Sequence, residues 1–391
     1  MTATDVKTIV VLGAGPAAIP VVRQTMVNTV LKRDNLKIIL VSPNANFHWP
    51  VATPRAVVPG QLPDEKIMIP LAPTFAEYPP SKFEFVLGKA SSLDPASNTV
   101  SIELGAGGSR EINYHTLVIA TGARARDDMP WKSIGTAEET TKKIHTLQEQ
   151  IKNAKTIVIA GGGMTGVETA GELGFEYSQK GQKEVILVYN EDLPLSAPAT
   201  QGVRKATKSE LERLKVKLIP NSTITNVTVE GNDTILELRA SDGSTKSITA
   251  QAYLPAIGVI PNTEFVPQTL LDSKQFVKQT TYLQAEGHKN IFVIGDAGSL
   301  ETTTLGHAEQ QSKHLIKALP LYLDGGALPE YQAGEKPMFF VTVGRSRGTG
   351  QMGSFKVFSF LVWFMKGRYL GTDYAHLWAA GKKTMMTTFE K

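Results

Sequence analysis

One pattern occurs twice in this chain and limits its architecture more than any other feature: a β-branched run entering a glycine-rich turn and then a helical pattern. Lys7 to Leu12 (KTIVVL) leads into Gly13-Ala14-Gly15-Pro16-Ala17-Ala18, and Lys155 to Ala160 (KTIVIA) leads into Gly161-Gly162-Gly163-Met164-Thr165-Gly166. After each helix comes a second apolar run, Leu36 to Val41 and Val185 to Val188, at the spacing of the next parallel strand. Two such openings predict an α/β fold with two Rossmann-like dinucleotide-binding domains, and 391 residues are too many for one ordinary core. Phe83 to Leu104 reads as short strands turning at Asp94-Pro95, Thr116 to Ala120 as a buried strand, and Ile224 to Leu238 as strands closing the second unit. Ile291 to Ile294 then returns to the first unit, followed by a helix from about Gly306 to Leu319 and a glycine-marked linker through Gly334 to Pro337. The expected division is a discontinuous first domain over 1–122 and 254–335, a second over 123–253, and a C-terminal segment over 336–391.

The glycines have a chemical reading. A pyrophosphate is met by backbone amides only if no side chain intervenes, and a helix N-terminus adds partial positive charge. Gly13, Gly15 and Ala18 fit G-x-G-x-x-G/A, and Gly161, Gly163 and Gly166 fit it fully. The acid that usually ends the second strand and binds the adenosine ribose is missing from both units. Ser42 stands there in the first and Tyr189 in the second, with Asn44 and Asn190 close behind. With neither an acid nor an adjacent arginine at that place, NADH and NADPH both remain open.

Composition removes whole classes. Cysteine is absent, so no disulfide, thiolate nucleophile or thiolate metal site exists, and no metal site is expected. A net charge of +4 is dispersed rather than massed, which argues against nucleic acid. No stretch approaches the ~20 apolar residues of a membrane span. The N-terminal residues lack a signal-peptide pattern and Thr2 follows Met1, so a cytoplasmic location is expected, with a peripheral membrane contact as one reading.

Together, the first glycine loop, Leu117 to Ala123 (LVIATGA), the second loop with Val167 to Glu172, Pro255 to Asn262 (PAIGVIPN) and Asn290 to Ala297 (NIFVIGDA) resemble the pyridine nucleotide-disulfide oxidoreductase superfamily over about 330 residues. Phe47-His48-Trp49 leading to Arg55, and the tail from Gly344 through Arg368, are similar to its apoptosis-inducing-factor-like branch. Within that branch the likeness is to the ferroptosis suppressor protein type of NAD(P)H:quinone oxidoreductase, and more distantly to type II NADH dehydrogenases. The resemblance implies a glutathione-reductase-like fold and an FAD-dependent NAD(P)H oxidoreductase passing electrons to a quinone-like acceptor. On the FAD side it implies Gly13, Gly15, Ala18 and Ser42, with Thr121 and Gly122 approaching the cofactor, Asp296 beside Gly295 on the ribitol, and Arg55 and His48 near the site. On the NAD(P)H side it implies Gly161, Gly163, Gly166, Asn190 and Gly258, with Glu168 catalytic near the meeting of nicotinamide and flavin. Glu168 and Glu172 share one helical face at i, i+4 and are costly to bury together.

The acceptor side is less defined. Ala308, Gln310 and Gln311 fit the end of the A-Q-x-A-x-Q-Q segment of type II dehydrogenases, but Gly306 replaces its first glutamine, and His307 is the candidate substitute. The run FKVFSFLVWFM is apolar at nine of eleven positions. Three readings of it compete: packing on the flavin domain, a dimer contact in a monomer-or-homodimer protein, or a monotopic anchor with Lys356, Lys366 and Arg368 at headgroups. Two other functions fit the same residues: a flavin oxidoreductase acting on a dedicated biosynthetic metabolite, and an NADH-responsive redox sensor.

Overall fold

The computed structural model describes residues 6–334 and 337–390; Met1, Thr2 and linker residues 335 and 336 lie outside the described residues. The first unit opens with β1 (Lys7–Leu12), α1 (Ala18–Asn28), β2 (Leu36–Ser42), β3 (Phe83–Asp94) and β4 (Thr116–Ile119). The second contains α2 (Ala137–Asn153), β5 (Thr156–Ala160), α3 (Met164–Glu176), β6 (Glu184–Val188), β7 (Lys217–Ile219) and β8 (Ala252–Pro255). The chain then supplies β9 (Ile291–Val293) and α4 (Leu305–Leu323) to the first.

The first sheet has the order β9-β4-β1-β2-β3, all parallel, and continues through the antiparallel strands Thr99–Leu104 and Ser109–Asn113. The second sheet, β7-β6-β5-β8, is wholly parallel, with a three-stranded antiparallel sheet following in the chain. Parallel strands are covered on both faces, and for that reason KTIVVL and KTIVIA read as continuous apolar runs rather than alternating ones. β8 pairs with β5 as far as Pro255, and the next strand, Val259–Pro261, pairs antiparallel with Ala123–Ala125.

The C-terminal segment bridges the two units. Strands Met338–Val343 and Arg347–Met352 form a hairpin whose Val341 and Val343 complete the second unit's core. Helix α3 approaches so closely that a Cβ on Gly171 would lie 2.7 Å from the Gly344 nitrogen. Farther on, Leu370, Ala375 and Trp378 enter the first unit's core, and the Trp378 indole donates to the Pro16 carbonyl behind the first glycine loop at 2.9 Å. The aromatic run between them does not pack inward as the first of its three readings expects. Phe355 and Phe358 are 78% exposed and Phe360 64%, because the chain there forms only one helical turn, Ser359–Val362, and a π turn, Trp363–Gly367. Among the described residues no helix is long and apolar enough to cross a membrane.

Candidate active site

The two glycine loops have the same construction. Gly13 (φ +102°) and Gly161 (φ +118°) lie in backbone space closed to other residues, and a Cβ on either would strike a carbonyl, Ala120 O or Ala256 O. Each makes the same tether: Gly13 N donates to Val41 O and Gly161 N to Val188 O, both at 2.8 Å. At Gly15 and Gly163 nothing lies within 4 Å of an added Cβ, so the space before each helix is open. The third position holds helix against strand: Ala18 is fully buried, and a Cβ on Gly166 would meet Gly161 O.

The first loop opens on a cleft of about 540 Å³ lined by Gly13, Gly15, Ser42, Asn44, His48, Thr121, Gly122, Lys132, Gly295 and Asp296. This lining fits an FAD. Gly15 leaves the space that a side chain would fill, and the buried Asn44 Oδ1 has no hydrogen-bond partner among the described residues. Asn44 Nδ2 donates to Gly135 O at 2.8 Å, while its backbone nitrogen donates to Ser42 Oγ at 3.1 Å. Asn44 Oδ1 is thus a buried acceptor left free among the described residues, beside Ser42 in the same lining. Thr121 is held by reciprocal hydrogen bonds with Asn262, 2.7 Å from Oγ1 to Asn262 O and 3.0 Å from Asn262 Nδ2.

Asp296 is ion-paired with Lys132, a partner that sequence reasoning missed. Lys132 arrives just before α2, whose start is fixed by a capping box between Thr136 and Glu139. His48 is buried in the cleft wall, Nε2 3.2 Å from Thr53 Oγ1 and Nδ1 3.3 Å from Ser133 Oγ. Burial first, and Lys132 second, push its pKa down to about 4, so the imidazole is neutral near pH 7.

Other predicted residues sit elsewhere. Glu168 and Glu172 are both buried, contrary to the expectation that one face could not hold them cheaply. Each is neutralised by a cation from another part of the chain: Lys366 Nζ lies 2.6 Å from Glu168 Oε1, and Arg55 Nη2 lies 2.8 Å from Glu172 Oε1. Glu168 also accepts from Thr342 N at 3.1 Å and lies under the C-terminal hairpin rather than in the cleft wall. Arg55 is likewise outside the lining, committed to Glu172. Gln311 is held by two hydrogen bonds, its Oε1 accepting from Gly295 N at 2.8 Å and its Nε2 donating to Glu301 at 3.0 Å. His307 is held at the Thr302 carbonyl, 2.8 Å away, and Gln310 lies near the Tyr331 hydroxyl at 3.5 Å. Asn190 and Gly258 are exposed near the second loop's strands, Gly258 with φ +71°.

Two Rossmann-like cradles of one construction, the first opening on a cleft that Asp296 and Lys132 line, define a two-dinucleotide-domain oxidoreductase fold. The chain belongs to the pyridine nucleotide-disulphide oxidoreductase family, whose profile matches residues 7–312. It is 38% identical to oxidoreductase ptaL of Pestalotiopsis fici, over 91% of this chain and 94% of the relative. It is 25% identical to ferroptosis suppressor protein 1 of Taeniopygia guttata, over 88% and 90%. Among solved structures, the sulfide:quinone oxidoreductase of Aquifex aeolicus superposes with a TM-score of 0.76 at 20% identity, covering 98% of this chain and 93% of that one. NDH2 of Plasmodium falciparum in complex with NADH gives 0.75 at 12% identity, covering 96% of each.

Proposed function

We propose that this chain is an FAD-dependent NAD(P)H oxidoreductase, with FAD in the first cradle, NADH or NADPH on the second, and a quinone-like acceptor taking the electrons. The observation that carries this reading is the repeated cradle: one turn geometry, built twice, suits two dinucleotides and little else. Bound FAD supplies the chemistry, accepting a hydride from reduced nicotinamide and giving the electron pair to an acceptor. The protein binds and orients. Gly15 and the α1 N-terminus meet the pyrophosphate, Asn44 Oδ1 the adenosine ribose, and the Lys132–Asp296 pair the ribitol end. Thr304, Leu305 and Ala308 bring the N-terminus of α4 to the cleft, where its partial positive charge favours anionic groups. Glu168, held by Lys366, serves the nicotinamide side.

With no cysteine in the chain, the disulphide of the family name has no counterpart here, and electrons leave directly to a diffusible acceptor. A quinone is favoured by the likeness to a sulfide:quinone oxidoreductase and by the exposed aromatic surface of Phe355, Phe358, Phe360 and Phe364, which suits a lipophilic acceptor or the membrane that holds it. The test is anaerobic reduction by nicotinamide followed by reoxidation with a panel of quinones. Rapid reoxidation by quinones supports the reading, and indifference to all of them removes the acceptor.

A further inference from the structure

Arg55, Glu172 and the tail backbone meet at one buried point. Arg55 comes from the turn Thr53–Ala56 of the first unit, and Glu172 from α3 of the second. Glu172 is fully buried and the Arg55 side chain 10% exposed. Arg55 donates Nε and Nη2 to Glu172 Oε1 at 3.0 and 2.8 Å, Nη2 to Gly367 O at 3.0 Å, and Nη1 to Arg368 O at 3.3 Å. The last residue of the π turn, Gly367, and its C-cap, Arg368, present those two carbonyls. The other carboxylate oxygen, Oε2, has no hydrogen-bond partner among the described residues and faces Arg345 Nε at 3.5 Å.

A buried ion pair pays heavily in desolvation, so its net stabilisation is small and its effect is to select one arrangement. The planar guanidinium makes that selection angular as well as radial. Gly163 is the N-cap of helix α3, and Glu172 lies about 13 Å farther along it. Any slip of α3 against the first unit therefore displaces the nucleotide cradle by a similar amount, and a misplacement of about 1 Å is enough to slow a transfer reaction roughly 100-fold.

We propose that Arg55 and Glu172 are positioning residues: their pair, closed by the Gly367 and Arg368 carbonyls, sets the two cradles in register for transfer between nicotinamide and flavin. This rests on the proposed flavin and nicotinamide binding. The experiment compares wild type, R55M, R55K and the double variant R55M/E172L, which removes both charges of the pair while Arg345 keeps Glu176 as its partner at 3.3 Å. Flavin content, melting temperature, nucleotide affinity, the anaerobic reduction rate at saturating NADH, and long-wavelength charge-transfer absorbance between flavin and nicotinamide are measured. If the wild type is not reduced by either nicotinamide, the functional reading itself fails. If it is reduced, the double variant should keep its flavin and its nucleotide affinity, lose the charge-transfer band and slow about 10- to 100-fold, with R55K intermediate. A double variant with the wild-type rate and an intact band overturns the proposal. So does a slower rate explained by weaker flavin or nucleotide binding with the band unchanged.

Discussion

Lys366 Nζ and Glu168 Oε1 stand 2.6 Å apart although 198 positions separate them in the chain. Lys366 also donates to Phe340 O at 3.0 Å, so the π turn, the C-terminal hairpin and the start of α3 are tied at one place. The tail is thereby joined to the helix that opens the nucleotide cradle.

Replacing Glu168 with alanine leaves Lys366, among the described residues, with the Phe340 carbonyl as its remaining hydrogen-bond partner, and removes the carboxylate proposed for the nicotinamide side. We expect flavin content to be unchanged and anaerobic reduction by NADH to slow about tenfold or more, with Lys366→Met shifting in the same direction. Stopped-flow reduction rates decide this, and a drop in melting temperature at an unaltered rate makes the pair purely structural.

Asp296→Ala deletes the carboxylate beside Gly295 and leaves Lys132 unpaired in the cleft. Loss of a charge-assisted hydrogen bond of about 1.5 to 3 kcal/mol corresponds to roughly 10- to 150-fold weaker FAD binding. The variant should purify largely colourless and bind added FAD weakly in a titration; full flavin occupancy contradicts the assignment.

His48 gives a pH prediction. Its folded pKa, about 4, lies below the ordinary 6.5, so between those values the unfolded chain takes up a proton that the folded chain refuses. The stability due to neutral His48 is complete above pH 6.5 and is lost as pH falls toward 4, on the order of 3 kcal/mol in all. Melting temperatures of wild type and His48→Gln across that range should converge at the acid end, with the variant showing the shallower slope.

Much of this was legible because the determinants are local. KTIVVL, KTIVIA and their glycine turns lie within a dozen residues each; β1 and β5 form where those runs stand, and β2 and β6 where the following apolar runs stand. The polar links were not legible, because their partners are remote. Arg55 and Glu172 are 117 positions apart, and Lys132 and Asp296 are 164 apart. Gln311 points at a backbone amide, Gly295 N, which no side-chain pattern reveals. The burial of Glu168 and Glu172 follows from cations delivered by other units, which a helical-face argument on α3 alone omits.

The aromatic surface separates two acceptor routes. Phe358→Ser with Phe364→Ser should leave reduction by NADH and turnover of a short, soluble quinone unaltered. Each phenylalanine removed forfeits about 1.5 to 3 kcal/mol of apolar burial, so turnover of a long-chain quinone held in vesicles should fall about tenfold or more. Equal turnover of the vesicle-held quinone by variant and wild type removes the surface from the acceptor path.

The most direct measurement is an anaerobic titration of the purified protein with NADH and with NADPH, after its bound cofactor has been released and identified. We predict about one FAD per chain, as one cradle opening on one cleft requires, and bleaching of the flavin absorbance by at least one nicotinamide. Protein that is colourless, takes up no added FAD, or carries flavin that neither nicotinamide reduces contradicts the account.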